Sequence, residues 1–76
     1  MPALSSNTVA DMLAALHMSP EELAEETQLS LVTVQRVIEG RQANARTRAR
    51  ILATINTRRR AVGLPALLAV EVFPQG

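Results

Sequence analysis

The fold is decided by residues 19–40, which read SPEELAEETQLSLVTVQRVIEG. Ser19 is a helix cap, the proline after it suits the first turn, and the glutamate three residues on closes a capping box. Ser30 can cap the next helix, and Gly40 is a residue that commonly follows a helix end. The sequence therefore predicts two short helices joined by a tight turn, a helix-turn-helix over about residues 20–39.

Further helices are predicted on both sides of this pair. An earlier helix follows candidate caps at Ser6 and Asn7 and ends near residues 17–18. Its apolar positions have helical spacing and are Val9, Met12, Leu13 and Leu16. A longer helix begins at the cap Asn44 and ends at Gly63. Its inner side is formed by Ile51, Leu52, Ile55 and Val62.

The apolar tail, residues 64–76, carries two signals. Pro65 suits the first turn of a short fifth helix, while the alternation in residues 70–73 is typical of a strand. We expect a helix first and an extended segment after it, acting as a lid on the core or as a dimer surface. The whole chain, residues 1–76, is expected to be one all-α domain: a compact bundle of four to five short helices.

Composition excludes several functional classes. The chain has no cysteine and a single histidine, His17, to which we assign no functional role. With no tyrosine or lysine either, and no paired carboxylates outside an amphipathic helix, we expect neither an enzyme nor a metal or cofactor site. No signal peptide and no membrane-spanning segment are recognisable, so we expect a cytoplasmic protein with no membrane partner.

Charge is segregated along the chain although its net value is only +1. Residues 1–39 hold six acids and one arginine, a net charge of −5, and residues 40–60 hold seven arginines and no acid, a net charge of +7. This asymmetry favours a polyanion on one side of the fold. The alternative is that the arginines pair with the acidic helices.

The third helix has two different faces. At about 100° per residue, Val34, Val37 and Ile38 fall on one side, facing the second helix at Leu23 and Ala24. The opposite side consists of Val32, Gln35, Arg36 and Glu39, with Leu31 on the border at the helix tip. A helix-turn-helix presents such a solvent-facing second helix to the DNA major groove.

The stretches 23–30 and 33–40 resemble the lambda-repressor-like helix-turn-helix superfamily, which includes Cro and Xre-type regulators. Residues 30–40, followed by Asn44-Ala45-Arg46-Thr47-Arg48, resemble the headpiece of LacI-type repressors. The resemblance covers about residues 8–58 and implies a DNA-binding regulator. Where relatives usually have glycine in the turn, this chain has Gln28, which is therefore expected at positive φ.

Site residues follow from this geometry and resemblance. Leu31, Val32, Gln35 and Arg36 are the predicted base readers: the aliphatic pair against thymine methyls, Gln35 with adenine and Arg36 with guanine. An ion pair of Arg36 with Glu39 or Glu26 is the structural alternative. The predicted phosphate contacts are Ser30, Thr33, Arg41, Asn44, Arg46, Thr47 and Arg50.

The remaining arginines are left with two interpretations each. Arg48 lies at the rim of the apolar stripe, where a pair with Glu22 or Glu25 is an alternative to a phosphate contact. Residues 58–60 either extend the basic surface or solvate the end of the helix.

The predicted function is a transcriptional regulator, a small repressor that binds double-stranded DNA as a homodimer on a near-palindromic site. The alternative is an interaction module of the same fold that regulates through a partner protein. The exposed aliphatic pair at residues 31–32 and the acidic second helix favour this alternative.

Overall fold

In the computed structural model, residues 8–73 are described, and within them the chain forms five helices and no strand. The helices are α1 (Thr8–Ala15), α2 (Pro20–Thr27), α3 (Leu31–Ile38), α4 (Ala45–Ala61) and α5 (Ala69–Val72). The predicted all-α class is confirmed. The candidate caps Ser6 and Asn7 lie outside the described residues.

Side-chain caps begin the helices of the helix-turn-helix. Ser19 Oγ accepts the Glu22 backbone N–H at 3.1 Å, and Glu22 Oε1 accepts the Ser19 N–H at 2.9 Å. Both bonds satisfy backbone donors that the helix itself leaves without acceptors. Ser30 Oγ accepts the Thr33 N–H at 3.1 Å and begins α3 in the same way. The predicted capping box and the predicted start of α3 after Ser30 are both confirmed.

One arrangement of the backbone ends each of the first four helices. At the end of α2, the Leu29 N–H donates to the Ala24 carbonyl at 3.1 Å and the Gln28 N–H donates to the Glu25 carbonyl at 3.3 Å. This pair of hydrogen bonds requires one residue of the turn to have a left-handed backbone conformation, with positive φ. Positive φ occurs at His17, Gln28, Gly40 and Gly63. The prediction for Gln28 is confirmed, with φ at 62°.

The core lies between the four longer helices. α2 packs against both α3 and α4, and α1 packs against α3. Leu23, Val34, Ile51 and Ile55 are fully buried, which confirms the predicted inner faces of α2, α3 and α4. The exposed face of α3 is fixed as a consequence, because one side of this helix is committed to the core.

Val62 was predicted on the inner side of α4, and this prediction is wrong: the residue is 65% exposed. α4 has 17 residues and α2 has eight. At 1.5 Å per residue these helices span about 25 Å and about 12 Å. The last turn of α4 therefore extends beyond the helix against which it packs.

The order of elements predicted for the apolar tail is also wrong, because the extended part comes first and the helix second. Residues 64–68 are not helical, and α5 follows them. The extended part is held by Asn56, whose Nδ2 donates to the Leu67 carbonyl at 3.0 Å and whose Oδ1 accepts the Leu67 N–H at 2.8 Å. α5 packs on α4 and buries Val72 in the core. The tail thus acts as a lid on the core.

Candidate nucleic-acid interface

The face of α3 that points away from the core carries most of the predicted base readers. Val32, Gln35 and Arg36 are exposed, and Val32 is 63% accessible to solvent. Leu31 is half-buried and packs against the core cluster, so less of its side chain is available to a ligand. The exposed face at the middle of α3 is therefore formed by one aliphatic, one amide and one guanidinium side chain.

Arg36 has no hydrogen-bond or ion-pair partner among residues 8–73. The two acids considered as its partners are engaged elsewhere. Glu39 accepts from Arg41, with 3.2 Å between Arg41 Nε and Glu39 Oε1, and Glu26 accepts from Arg58. The ion-pair alternative for Arg36 is therefore not realised, and its donors remain free for a ligand.

The start of α3 presents a hydroxyl pair. Ser30 Oγ accepts the Thr33 N–H, and its own hydroxyl donates to Thr33 Oγ1 at 2.8 Å. Because the Ser30 hydrogen is used in this bond, the hydrogen of the Thr33 hydroxyl is the one left to donate outward. Of the two predicted phosphate contacts, Thr33 is thus the donor and Ser30 orients it.

The start of α4 presents backbone donors. Asn44 Oδ1 accepts the Thr47 N–H at 2.8 Å. The N–H groups of Ala45 and Arg46 have no backbone acceptor within the described part of the chain, as is expected for the first turn of a helix. The exposed Arg46 side chain lies at the same end. Unused amides and positive charge together make this end suitable for an anion.

A concave pocket of about 250 Å³ lies between α3 and the start of α4. It brings together three of the predicted phosphate contacts, Thr33, Asn44 and Thr47, with the predicted base reader Arg36. The pocket is lined by Thr33, Arg36, Val37, Gln42, Ala43, Asn44 and Thr47. Among the predicted phosphate contacts Thr47 is unusual, because it is buried. Sequence reasoning missed Gln42; its place in the loop just before the cap Asn44 is the signal that could have indicated it.

Other arginines of the basic segment bind the fold itself. Arg50 Nη1 donates to the Thr27 carbonyl at 3.1 Å, which ties α4 to the end of α2. Arg48 Nη1 donates to the Ala43 carbonyl, so its predicted pairing with Glu22 or Glu25 is wrong. The reason is local: the Ala43 carbonyl lies just before α4 and has no helical donor.

Among residues 8–73, two of the three arginines at the end of α4 donate hydrogen bonds to other parts of the fold and one does not. Arg58 pairs with Glu26 of α2, with 3.3 Å between Arg58 Nε and Glu26 Oε1. The hydrogen bond to Glu26 is the main cause that raises the pKa of Arg58; desolvation opposes it, and the charges of Glu26 and then Glu22 raise the pKa further. Arg59 Nε donates to the Pro65 carbonyl at 2.8 Å and so helps to hold the tail. Arg60 is exposed and has no such contact in the described range.

Two further kinds of site were sought in the described part of the chain. None of its helices is long and apolar enough to cross a membrane. It also contains no cluster of three or more histidine, aspartate or glutamate side chains suited to hold a metal ion.

Comparison of the chain with protein-family models, with curated proteins and with solved structures gives no match.

Proposed function

We propose that this protein is a sequence-specific DNA-binding regulator, most simply a repressor, that inserts α3 into the major groove. The observation that carries the proposal is the free guanidinium of Arg36, exposed on α3 beside Gln35 and Val32. A planar donor fork on a solvent-facing helix suits the O6 and N7 acceptors of guanine. The resemblance of residues 23–30 and 33–40 to helix-turn-helix repressors supports the same function.

The other readers complement Arg36. Gln35 can donate and accept on adenine, and Val32 can contact a thymine methyl. Phosphate oxygens then lie against the Thr33 hydroxyl and the first amides of α4, with Arg46 beside them. These contacts fix the register of the helix in the groove and carry no sequence information themselves.

The proposed active form is a homodimer. Four exposed apolar side chains follow the end of α4, namely Val62, Leu64, Leu68 and Val70. To read one near-palindromic site, a two-fold symmetric dimer has to place its two α3 helices roughly 34 Å apart, the distance between successive major-groove sites on one side of DNA.

Selection of bound duplexes from a random DNA library tests the proposal. We expect an enriched motif with two-fold symmetry, because each protomer reads one half-site. A library that shows no enrichment even at low salt would contradict DNA recognition and favour the alternative, an interaction module that uses the exposed Val32 face. In that case, crosslinking from position 32 should capture a protein partner.

Two charge-matched variants separate reading from general attraction. Arg36→Ala should cost about 1–3 kcal/mol at one base position of the selected motif and relax specificity there. Arg60→Ala removes the same charge from the last turn of α4 and should leave the motif unchanged. Equal weakening by Arg36→Ala on every sequence would instead make Arg36 a phosphate contact.

A further inference from the structure

The pocket between α3 and α4 has a feature that groove binding does not need, a buried hydroxyl. Thr47 is only 8% exposed, and its hydroxyl has no hydrogen-bond partner among residues 8–73. No fully enclosed polar side-chain atom of the described residues lacks a partner. The Thr47 hydroxyl therefore keeps some contact with solvent, and Thr47 is one of the residues that line the pocket. The hydrogen of this hydroxyl can be donated to an acceptor of a bound ligand.

The electrostatics of the pocket favour an anion. Its lining includes the Arg36 guanidinium and no carboxylate. The unused Ala45 and Arg46 amides stand at the N-terminal end of a 17-residue helix, where the helix dipole and the free N–H groups both attract negative charge. The Thr33 hydroxyl adds a donor from the other wall. Every charged or donor-rich group that bounds the pocket is thus suited to bind oxygen anions.

The size of the pocket suits a small ligand. Its volume of about 250 Å³ has room for a phosphate group. A phosphodiester in duplex DNA is tied to a sugar on both sides and lies along the protein surface. A phosphomonoester has three terminal oxygens and one substituent, so it can present more acceptor oxygens to the donors of Thr33, Arg36 and Thr47 than a phosphodiester can.

We propose that this pocket binds a free phosphate group, either inorganic phosphate or a small phosphomonoester, with Thr47 at its inner end and Arg36 at its rim. The binding site does not depend on DNA recognition. Its consequence does rest on the proposed function, since a ligand that engages Arg36 competes with DNA for that side chain.

Amide chemical shifts measured during titration with inorganic phosphate, and separately with phenyl phosphate, test the site. Sodium chloride of matched ionic strength is the control. We expect saturable shifts at Ala45, Arg46 and Thr47 with both phosphates and none that saturate with chloride. Thr47→Val should weaken binding about tenfold or more, the loss expected for one hydrogen bond to a charged group. Thr47→Ser, which keeps the hydroxyl, should restore most of the affinity.

Arg36→Gln provides an independent variant, because this exposed side chain makes no contact that folding requires. It should also weaken phosphate binding about tenfold. Shifts that stay linear in phosphate concentration, or equal affinity in wild type, Thr47→Val and Arg36→Gln, would overturn the proposal and indicate general ionic screening.

A competition assay with the selected DNA distinguishes a free phosphate ligand from the DNA backbone. Displacement of DNA by phenyl phosphate, lost in Thr47→Val, supports both the site and its role as a competitor. Saturable phosphate binding by a protein that selects no DNA supports the site and overturns only the proposed function. If free phosphates fail to bind but Thr47→Val weakens DNA binding, the pocket serves the DNA backbone and the free-ligand site is refuted.

Discussion

Replacement of Gln28 by glycine should stabilise the protein. Gln28 has φ 62° and ψ 31°, in the left-handed region. A side chain with a Cβ costs about 1–2 kcal/mol there, because the Cβ lies too close to the following carbonyl oxygen. Glycine avoids this cost, but it also increases the freedom of the unfolded chain, which removes about 0.4–1 kcal/mol of stability. The net expectation for Gln28→Gly is a gain of about 0.5–1 kcal/mol.

Nothing in the folded state opposes this gain. The Gln28 side chain is exposed and makes no hydrogen bond within the described range. The two bonds that end α2 come from the backbone N–H groups of Gln28 and Leu29, and glycine retains both. For a domain of 60–100 residues, a gain of this size raises the midpoint of thermal unfolding by about 2–8 °C.

Urea unfolding followed by circular dichroism measures the change, with two matched controls. Gln28→Ala keeps the Cβ and should stay within about 0.5 kcal/mol of the wild type. Gly63→Ala is the reverse substitution: Gly63 has φ +84° and no heavy atom within 4 Å of an added Cβ. It should lose about 0.5–1 kcal/mol through backbone strain alone.

The changes in the free energy of unfolding of the three variants, taken together, test whether the backbone at Gln28 is strained. A neutral or destabilising Gln28→Gly, alongside the expected loss in Gly63→Ala, would refute the assignment of strain to the turn. A gain shared equally by Gln28→Ala would instead attribute the effect to the glutamine side chain.

Three further outcomes are expected. Val72→Ala should destabilise by about 2 kcal/mol because it removes two buried carbon atoms and leaves a cavity. The exposed Val70 of the same helix is the control and should tolerate the same change in urea unfolding. Asn56→Ala removes both hydrogen bonds to Leu67, so amide exchange at that residue should accelerate while α2 and α3 keep their protection. Arg46→Ala should reduce the slope of log K against log salt for DNA binding by about 1, whereas Arg60→Ala should leave that slope unchanged if only the first turn of α4 meets phosphate.

Helix starts could be predicted from the sequence because their causes are local. The caps Ser19, Ser30 and Asn44 each accept a backbone N–H three residues later, so the interacting groups lie next to one another in the chain. The left-handed Gln28 was predicted in another way, from the resemblance, because similar helix-turn-helix proteins usually have glycine at this place in the turn. The inner faces followed once these boundaries were set.

The tail could not be predicted, because distant contacts decide its conformation. Residues 64–73 carry both a helix signal at Pro65 and a strand-like alternation, and local propensity does not choose between them. The choice is made by the Asn56 side chain, eleven residues before Leu67, which takes up the donor and the acceptor of that backbone unit. An extended segment at Leu67 then leaves the following residues to form the short helix that buries Val72.

The candidate site shows the same division between local and distant causes. Charge segregation indicated the basic segment, but not which guanidinium groups are free. Arg50 and Arg58 donate to α2, and Arg48 and Arg59 donate to carbonyls near the ends of α4. All four keep their positive charge and still contribute to long-range attraction of a polyanion.

Short-range recognition is a different matter, because it requires donors that no internal acceptor holds. Within the described residues, such donors remain at Arg36, which lines the pocket, at Arg46 in the first turn of α4, and at Arg60 at the other end of that helix. The first two amides of α4 add two more donors beside Arg46. The chemistry available to a ligand is therefore concentrated where α3 meets the start of α4. A polyanion attracted by the whole basic segment would be oriented by this small region. A small phosphate bound there would compete with the polyanion for the same hydrogen-bond donors.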